Sequence, residues 1–333
     1  MFARHPLLFP DPHGLITRRA ATAAGLDDAD LRRLVTHGEL IRLRRGVFVP
    51  ADRWASLDEF RGRPLLRIRA AQMCLRSDHV LSHDSAALPL GLGCPDPRTA
   101  LVHITRPKVH GDADRAGIKH HLAPYTEDQV VTVDGMRMLG RARTALDMAR
   151  EHGLVAGVAC CDAALRLGVT REELAAARST MRCWPGSRVM DAAMRLADPG
   201  AESWLESEAR LLVTSLGIGR PETQFGLTDG TRTVWCDMRV GRHFFEADGY
   251  LKYTPANALG LDPDQVLREE KKRQDFITGF NVGVSRITAA DCRAGRDLAR
   301  ARLAREYAAC ARFGTDISDL APYVVRRQRP LAA

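Results

Sequence analysis

The segment Val234-Trp235-Cys236-Asp237-Met238-Arg239-Val240-Gly241-Arg242-His243-Phe244-Phe245-Glu246-Ala247-Asp248 reads as two β-strands joined by a tight turn. Val234–Val240 and His243–Ala247 are rich in β-branched and aromatic residues, and Gly241-Arg242 lies between them. With the turn centred there, Asp237 and Glu246 are equidistant from it and oppose one another on antiparallel strands. Opposed like charges destabilise a strand pair, and a divalent cation between them removes the conflict. Hard ions such as Mg2+ take oxygen ligands, for which two carboxylates with water and phosphate suffice. Asp248 lies two residues beyond Glu246 and points to the same face if the strand continues, so three carboxylates converge near Gly249.

Working outward, Glu202–Leu216 reads as a helix burying Trp204, Leu205, Leu211 and Leu212. Its Glu206 and Arg210 are one turn apart and either reach the acidic pair or bond each other. Downstream, Val266–Phe276 is a strongly charged helix, and Phe280–Ile287 is an apolar strand. The order is helix, hairpin, helix, strand. That order resembles the very-short-patch-repair-like branch of the PD-(D/E)xK nucleases. The residues carrying the likeness are Glu206-Ser207 with Arg210, Asp237, Glu246-Ala247-Asp248-Gly249, Lys252-Tyr253, Glu270-Lys271 with Arg273, and Val284-Ser285-Arg286-Ile287-Thr288.

This resemblance implies a restriction-endonuclease-like α/β domain that hydrolyses phosphodiesters. Mg2+ would be held by Asp237 and Glu246, within a catalytic set of Glu206, Asp237, Glu246, Asp248 and Lys252. The metal would polarise a phosphoryl oxygen and lower the pKa of a bound water. Lys252 would stabilise developing charge, and Glu206 would add a ligand or activate water. One departure stands out. The family places lysine two residues after the second acid, and here that residue is Asp248, with Lys252 the candidate replacement. A nuclease fold without turnover therefore stays open.

At the other end, Thr17 is an N-cap before an alanine-rich helix that Gly25 ends, and Asp27 or Asp28 caps a second helix to about His37. Leu31, Leu34 and Val35 give that helix an inward stripe. Leu40–Leu43 and Val47–Val49 then form a hairpin with Arg44-Arg45-Gly46 at its tip. A basic hairpin after a helix-turn-helix is a wing. The candidate DNA contacts are Arg32, Arg33 and His37 on the helix and Arg42, Arg44 and Arg45 on the wing. A winged helix used for protein contacts is the alternative. Gly14-Leu15-Ile16-Thr17-Arg18-Arg19-Ala20, Gly25-Leu26 and Arg42-Leu43-Arg44-Arg45-Gly46-Val47-Phe48 resemble the N-terminal domain of AbiEi-type antitoxins.

Val80-Leu81-Ser82-His83-Asp84-Ser85-Ala86-Ala87 with Gly91, and Arg141–Ala149, resemble the region that follows in those antitoxins. Ser82, His83, Asp84 and Ser85 are helix neighbours that do not face one another, so a capped helix start fits better than a relay. Ala100–Thr105 reads as a strand, and Thr144 as the cap of a helix to Arg150. His103, His110, His120 and His121 show no i, i+4 pairing, so no metal site is expected among them.

The fold class expected is α+β multidomain: a winged helix-turn-helix at 1–52, a mixed α/β middle domain at 53–180, a linker helix at 181–200, the nuclease-like domain at 201–292, and a terminal helix and tail at 293–333. A chain of 333 residues with 45% hydrophobic and 27% charged residues is ordinary for globular protein. Its formal net charge of +8, almost all arginine, favours a polyanionic partner such as DNA. Eight scattered cysteines without ligand spacing point to free thiols in a reducing, cytoplasmic setting. No membrane span or signal peptide is expected. Two functions emerge: a Mg2+-dependent endonuclease tied to phage defence or toxin–antitoxin systems, or an antitoxin-like autoregulator with a cognate toxin.

Overall fold

The computed structural model describes residues 9–76, 78–107, 113–249 and 263–326. It is a mixed α+β chain with three sheets. Two compact units divide it, one of Met1–Cys160 with Glu172–Met190, the other of Cys161–Arg171 with Asp191–Ala333.

The first unit opens with β1 (Ile16–Thr17), α1 (Arg18–Ala23), α2 (Asp28–Thr36), β2 (Leu40–Arg44) and β3 (Val47–Pro50). Local chemistry sets each boundary. Thr17 Oγ1 accepts from Ala20 N at 3.1 Å, and Asp27 forms a capping box with Asp30. Gly25 holds φ at 84°, a conformation that suits a residue without Cβ, and so turns the chain between the helices. Ile16, Ala21, Leu26, Leu31, Leu40 and Phe48 form a small core, with Leu34 and Val35 packed against it. The strands lie in the order β1-β3-β2, with a bulge between Arg42 and Arg44.

Next come α3 (Ala51–Ser56), α4 (Gly62–Cys74), β4 (Val80–Leu81), α5 (His83–Ala87), β5 (Val102–Arg106), β6 (Ala113–Arg115), β7 (Ile118–Leu122), β8 (Val130–Val133), β9 (Met136–Leu139) and α6 (Arg141–His152). The strands form one sheet, order β6-β7-β5-β4-β9-β8, in which β5 pairs with β7 and β4 with β9 in parallel. Two boundaries differ from expectation. The β5 strand starts at Val102 rather than Ala100, and α6 starts at Arg141 with Gly140 as its cap. Thr144 is inside α6, where its hydroxyl donates to Leu139 O at 2.9 Å.

After α7 (Leu154–Arg166), α8 (Arg171–Ser179) and α9 (Ser187–Leu196), the second unit continues with α10 (Trp204–Thr214), β10 (Glu222–Thr228), β11 (Thr233–Val240), β12 (His243–Asp248), α11 (Pro263–Thr278), β13 (Gly283–Thr288), α12 (Ala289–Cys292), α13 (Arg296–Ala309) and β14 (Val324–Arg326). The sheet order is β13-β12-β11-β10-β14. Only the β12–β13 pair is parallel.

The reading from sequence lacked β10 and β14. Gly226 sits inside β10 because a Cβ there would come within 2.7 Å of Val325 O and 2.8 Å of the Trp235 ring. Leu212, Met238, Val240, Phe245, Ile287 and Leu303 pack on one face of the sheet. Phe225, Leu227, Val234, Cys236, Phe244 and Ile277 pack on the other.

One buried ion pair anchors this unit. Arg210 Nη2 donates to both oxygens of Asp162, at 2.7 and 3.0 Å, and Ser207 Oγ donates to Asp162 Oδ2 at 2.8 Å. Arg210 therefore turns away from the acidic hairpin, and its partner is neither Glu206 nor the paired acids.

Candidate functional site

The β11–β12 turn falls at Gly241-Arg242, with Val240↔His243, Arg239↔Phe244 and Met238↔Phe245 in register. The next position along both strands is Asp237 with Glu246. Residues two apart on a regular strand share a face. Cys236 and Val234 pack with one cluster, yet Met238 and Val240 pack with the other, so β11 changes face at Asp237. Gln224, opposite Asp237 in the β10–β11 register, has φ at 53°. Such irregularities re-aim a side chain. Here the re-aimed residue is an acid, and its Oδ2 accepts from Ala247 N at 2.7 Å.

Glu206 stands in the first turn of α10, where its carboxylate accepts from Glu202 N at 2.7 Å, Ser203 Oγ at 2.9 Å and Gln224 Nε2 at 3.3 Å. Glu246 is 8% exposed, and its Oε2 accepts from Arg273 Nη2 at 2.8 Å. Burial raises both glutamate carboxyls above the ordinary range, and the charge of Asp237 pushes each the same way. Arg273 opposes this at Glu246. Glu206, Asp237 and Glu246 thus share one electrostatic environment, with Arg273 of α11 as the cation beside it.

Asp248 goes elsewhere. It lies 3.7 Å from Arg286 of β13, so the expected three-way convergence with Asp237 and Glu246 gives way to an ion pair across the parallel strands. Lys252 lies outside the described residues. The sequence named Arg273 without giving it a role. Its part becomes visible only once α11 packs over the sheet.

On the winged helix, Arg32 and Arg33 are exposed on α2 and His37 is exposed at its C-cap, and Arg33 pairs with Asp30. Arg42 and Arg45 are exposed on the hairpin. Arg44 is instead half-buried and donates to the carbonyls of Ala116 and Gly117, in the middle region of the same unit.

The structure also gathers residues that the sequence reading set aside. His83, His103 and His121 present nitrogens within 4.8 Å of one another. Among the described residues this is the set of three metal-capable side chains that converges so closely, and the three acids are not such a set. The i, i+4 test looks along one helix, whereas these histidines come from α5, β5 and β7. Their meeting depends on the parallel β5–β7 pairing, for which no local signal exists. Burial drives His83 well below its ordinary pKa and His103 down to about 4, so both rings are neutral near pH 7. His83 also holds φ at 46°, a conformation costing a non-glycine residue about 1–3 kcal/mol.

Two proteins of Mycobacterium tuberculosis, Uncharacterized protein Rv2248 of strain H37Rv and Uncharacterized protein MT2308 of strain CDC 1551, are each 30% identical to this chain over 225 residues. The match covers 63% of this chain and 75% of each relative. The chain belongs to their family. Within it, residues 6–51 match a family described as "Transcriptional regulator, AbiEi antitoxin". The N-terminal winged helix is thus a domain of the AbiEi antitoxin and transcriptional-regulator type. No helix among the described residues is long and apolar enough to cross a membrane.

Proposed function

We propose that this protein binds DNA through its AbiEi-type winged helix and hydrolyses phosphodiesters at the acidic site of its C-terminal unit, with Mg2+ as cofactor. One observation carries the reading. Glu246 Oε1 is buried and takes up no well-formed hydrogen bond among the described residues, its carboxyl having beside the Arg273 pair only the weak donor Cys236, with Asp237 on the next strand. A buried acceptor left unsatisfied is unfavourable, and a hard cation satisfies it. The donor set therefore fits Mg2+, with Asp237 and Glu246 as its holders and Glu206 beside them.

Further support comes from topology. Helix α10, hairpin β11–β12, helix α11 and strand β13 follow one another in the order that the PD-(D/E)xK resemblance implies, with strand β10 added between α10 and the hairpin and with β13 parallel to β12. When bound, the metal would polarise a phosphoryl oxygen and acidify a water. Glu206, its carboxyl raised by burial, is the group beside the pair that would hold a proton most readily. Arg273 supplies the fixed positive charge that the family places on lysine, while Asp248 at the lysine position is spent on Arg286. Arg42 and Arg45 of the wing, with Arg32 and Arg33 of α2, hold the duplex by its phosphates.

The test is cleavage of plasmid and short duplexes with and without Mg2+, run beside Asp237→Ala. Mg2+-dependent cleavage lost in the variant supports the reading, and equal cleavage by both overturns it. A second reading is favoured by the Asp248–Arg286 pair at the lysine position: an antitoxin-like autoregulator whose nuclease fold is inert. Tight promoter binding without cleavage by the wild type selects it.

A further inference from the structure

We propose that His83, His103 and His121 bind one late first-row transition-metal ion, Zn2+ foremost, in the middle region of the first unit. This site is separate from the acidic hairpin and does not depend on nuclease activity there. The three imidazoles come from the start of α5, from β5 and from β7. They are 3%, 3% and 6% exposed, so a bound ion would be screened from bulk water.

The spacing suits such an ion. His103 Nδ1 and His121 Nε2 are 3.0 Å apart. Two nitrogens on one tetrahedral zinc, each at 2.0–2.1 Å, stand about 3.3 Å apart. All three ligand atoms lie within 4.8 Å. Contraction from there is of the size that side-chain torsions supply.

The surroundings point the same way. A ligating histidine characteristically uses its other ring nitrogen to bond a carboxylate, carbonyl or hydroxyl, which fixes tautomer and orientation. His103 Nε2 is 3.5 Å from Asp84 Oδ2, while its Nδ1 faces His121. His83 Nδ1 bonds Ser82 Oγ at 3.0 Å, which turns its Nε2 to the ligand role. Asp84 is itself held by His152 Nε2 at 2.7 Å. Two of the three ligands therefore carry a supporting partner on the nitrogen opposite the one they would offer. The His83 ring is stacked on that of His121, with centroids 3.8 Å apart and planes at 18°, and is tilted at 38° to His103, so a rotation of His83 out of that stack gives the site its third arm.

Imidazole ligands without thiolate suit zinc, copper, nickel or iron rather than Mg2+ or Ca2+. Three protein nitrogens leave a fourth position for water, as in sites where zinc acts on a substrate. Asp84 is a positioning residue, acting through His103.

The experiment uses the full chain, stripped with a chelator and titrated with Zn2+ by calorimetry and with Co2+ by visible absorption. One ion per chain and the intense visible bands of tetrahedral Co2+ are expected. His103→Ala and His121→Ala should abolish both signals. Asp84→Asn should weaken binding about 10–100-fold while retaining the bands. His120→Ala, next to His121 but outside the cluster, should bind as wild type does. Circular dichroism checks that each variant is folded. If a histidine variant fails to fold, the wild-type Co2+ spectrum decides alone. Absence of tetrahedral bands in the wild type overturns the proposal, as does unchanged stoichiometry in folded His103→Ala.

Discussion

Arg273 Nη2 donates both to Glu246 Oε2, at 2.8 Å, and to Trp235 O, at 2.9 Å. One guanidinium therefore ties α11 to β11 and β12 at the point where the acids gather. Removing it would leave a largely buried carboxylate without its cation. We expect Arg273→Ala to cost about 1–3 kcal/mol in denaturant unfolding and to remove Mg2+-dependent cleavage. Arg273→Lys should recover more of the cleavage than of the stability, because lysine keeps the charge but not the rigid planar group that sets Nη2 between both acceptors. Full cleavage by Arg273→Ala would show that the charge has no part in the chemistry.

The wing arginines divide into two kinds. Arg42 and Arg45 are exposed, whereas Arg44 is engaged with two carbonyls of its own unit. Replacing Arg42 and Arg45 together by alanine should lower the slope of log affinity against log salt by about 2, since each phosphate left unneutralised removes about 0.9. Arg44→Ala should leave that slope unchanged and cost about 1 kcal/mol of stability. Fluorescence anisotropy across a salt series, beside thermal unfolding, separates the two. A slope that falls equally in both would place Arg44 on DNA as well.

Gly226 offers a test of the sheet. An added methyl would meet Val325 O and the Trp235 ring, and the carbonyl belongs to the edge strand β14. Gly226→Ala should therefore release β14 before it disturbs the β11–β12 hairpin. Hydrogen exchange should show reduced protection at Val324–Arg326 with protection at Met238 and Phe245 retained. A uniform decrease across the sheet would mean that β14 and the hairpin unfold together.

His243 gives the second unit an acid sensitivity. Burial pushes its pKa down to about 4, while Glu306 pulls weakly the other way. An unfolded histidine titrates near 6.5, so the unfolded chain takes up the proton first. Stability from the neutral ring is complete above pH 6.5 and is lost as pH falls toward 4, by about 2–3 kcal/mol. His243→Gln should flatten that part of the urea-midpoint profile. Glu206 and Glu246 act with the opposite sign, since burial raises both. Their contribution is present at low pH and is lost as pH rises through their folded values. Mg2+ should therefore stabilise the unit more at pH 8 than at pH 5, which a thermal shift series would read directly.

Much of this architecture is legible along the chain because its signals are local. Thr17, Gly25 and Asp27 mark helix ends through bonds made within a few residues. Gly241-Arg242 marks a turn because the flanking strands carry Trp235, Val240, Phe244 and Phe245. Other features depend on distant partners. Strand β10 carries glutamate, threonine, glutamine and glycine, and it is a strand only because β11 and β14 flank it. Asp248 looks like a third ligand until the parallel partner of β12 brings Arg286 beside it. The histidine cluster is the extreme case. Its members are spread from His83 to His121, and no periodicity joins them.

The bond between Asp162 and Arg210 bears on how this protein can be divided. Asp162 precedes the Asp-Pro-Gly break at Asp198–Gly200, while the guanidinium it holds follows that break. A gene fission at this natural-looking seam would strand Arg210 in the interior with no counter-charge, and Ser207 with no acceptor. In energetic terms the C-terminal unit therefore begins before Asp162, although the clearest turn signal in the sequence comes after it.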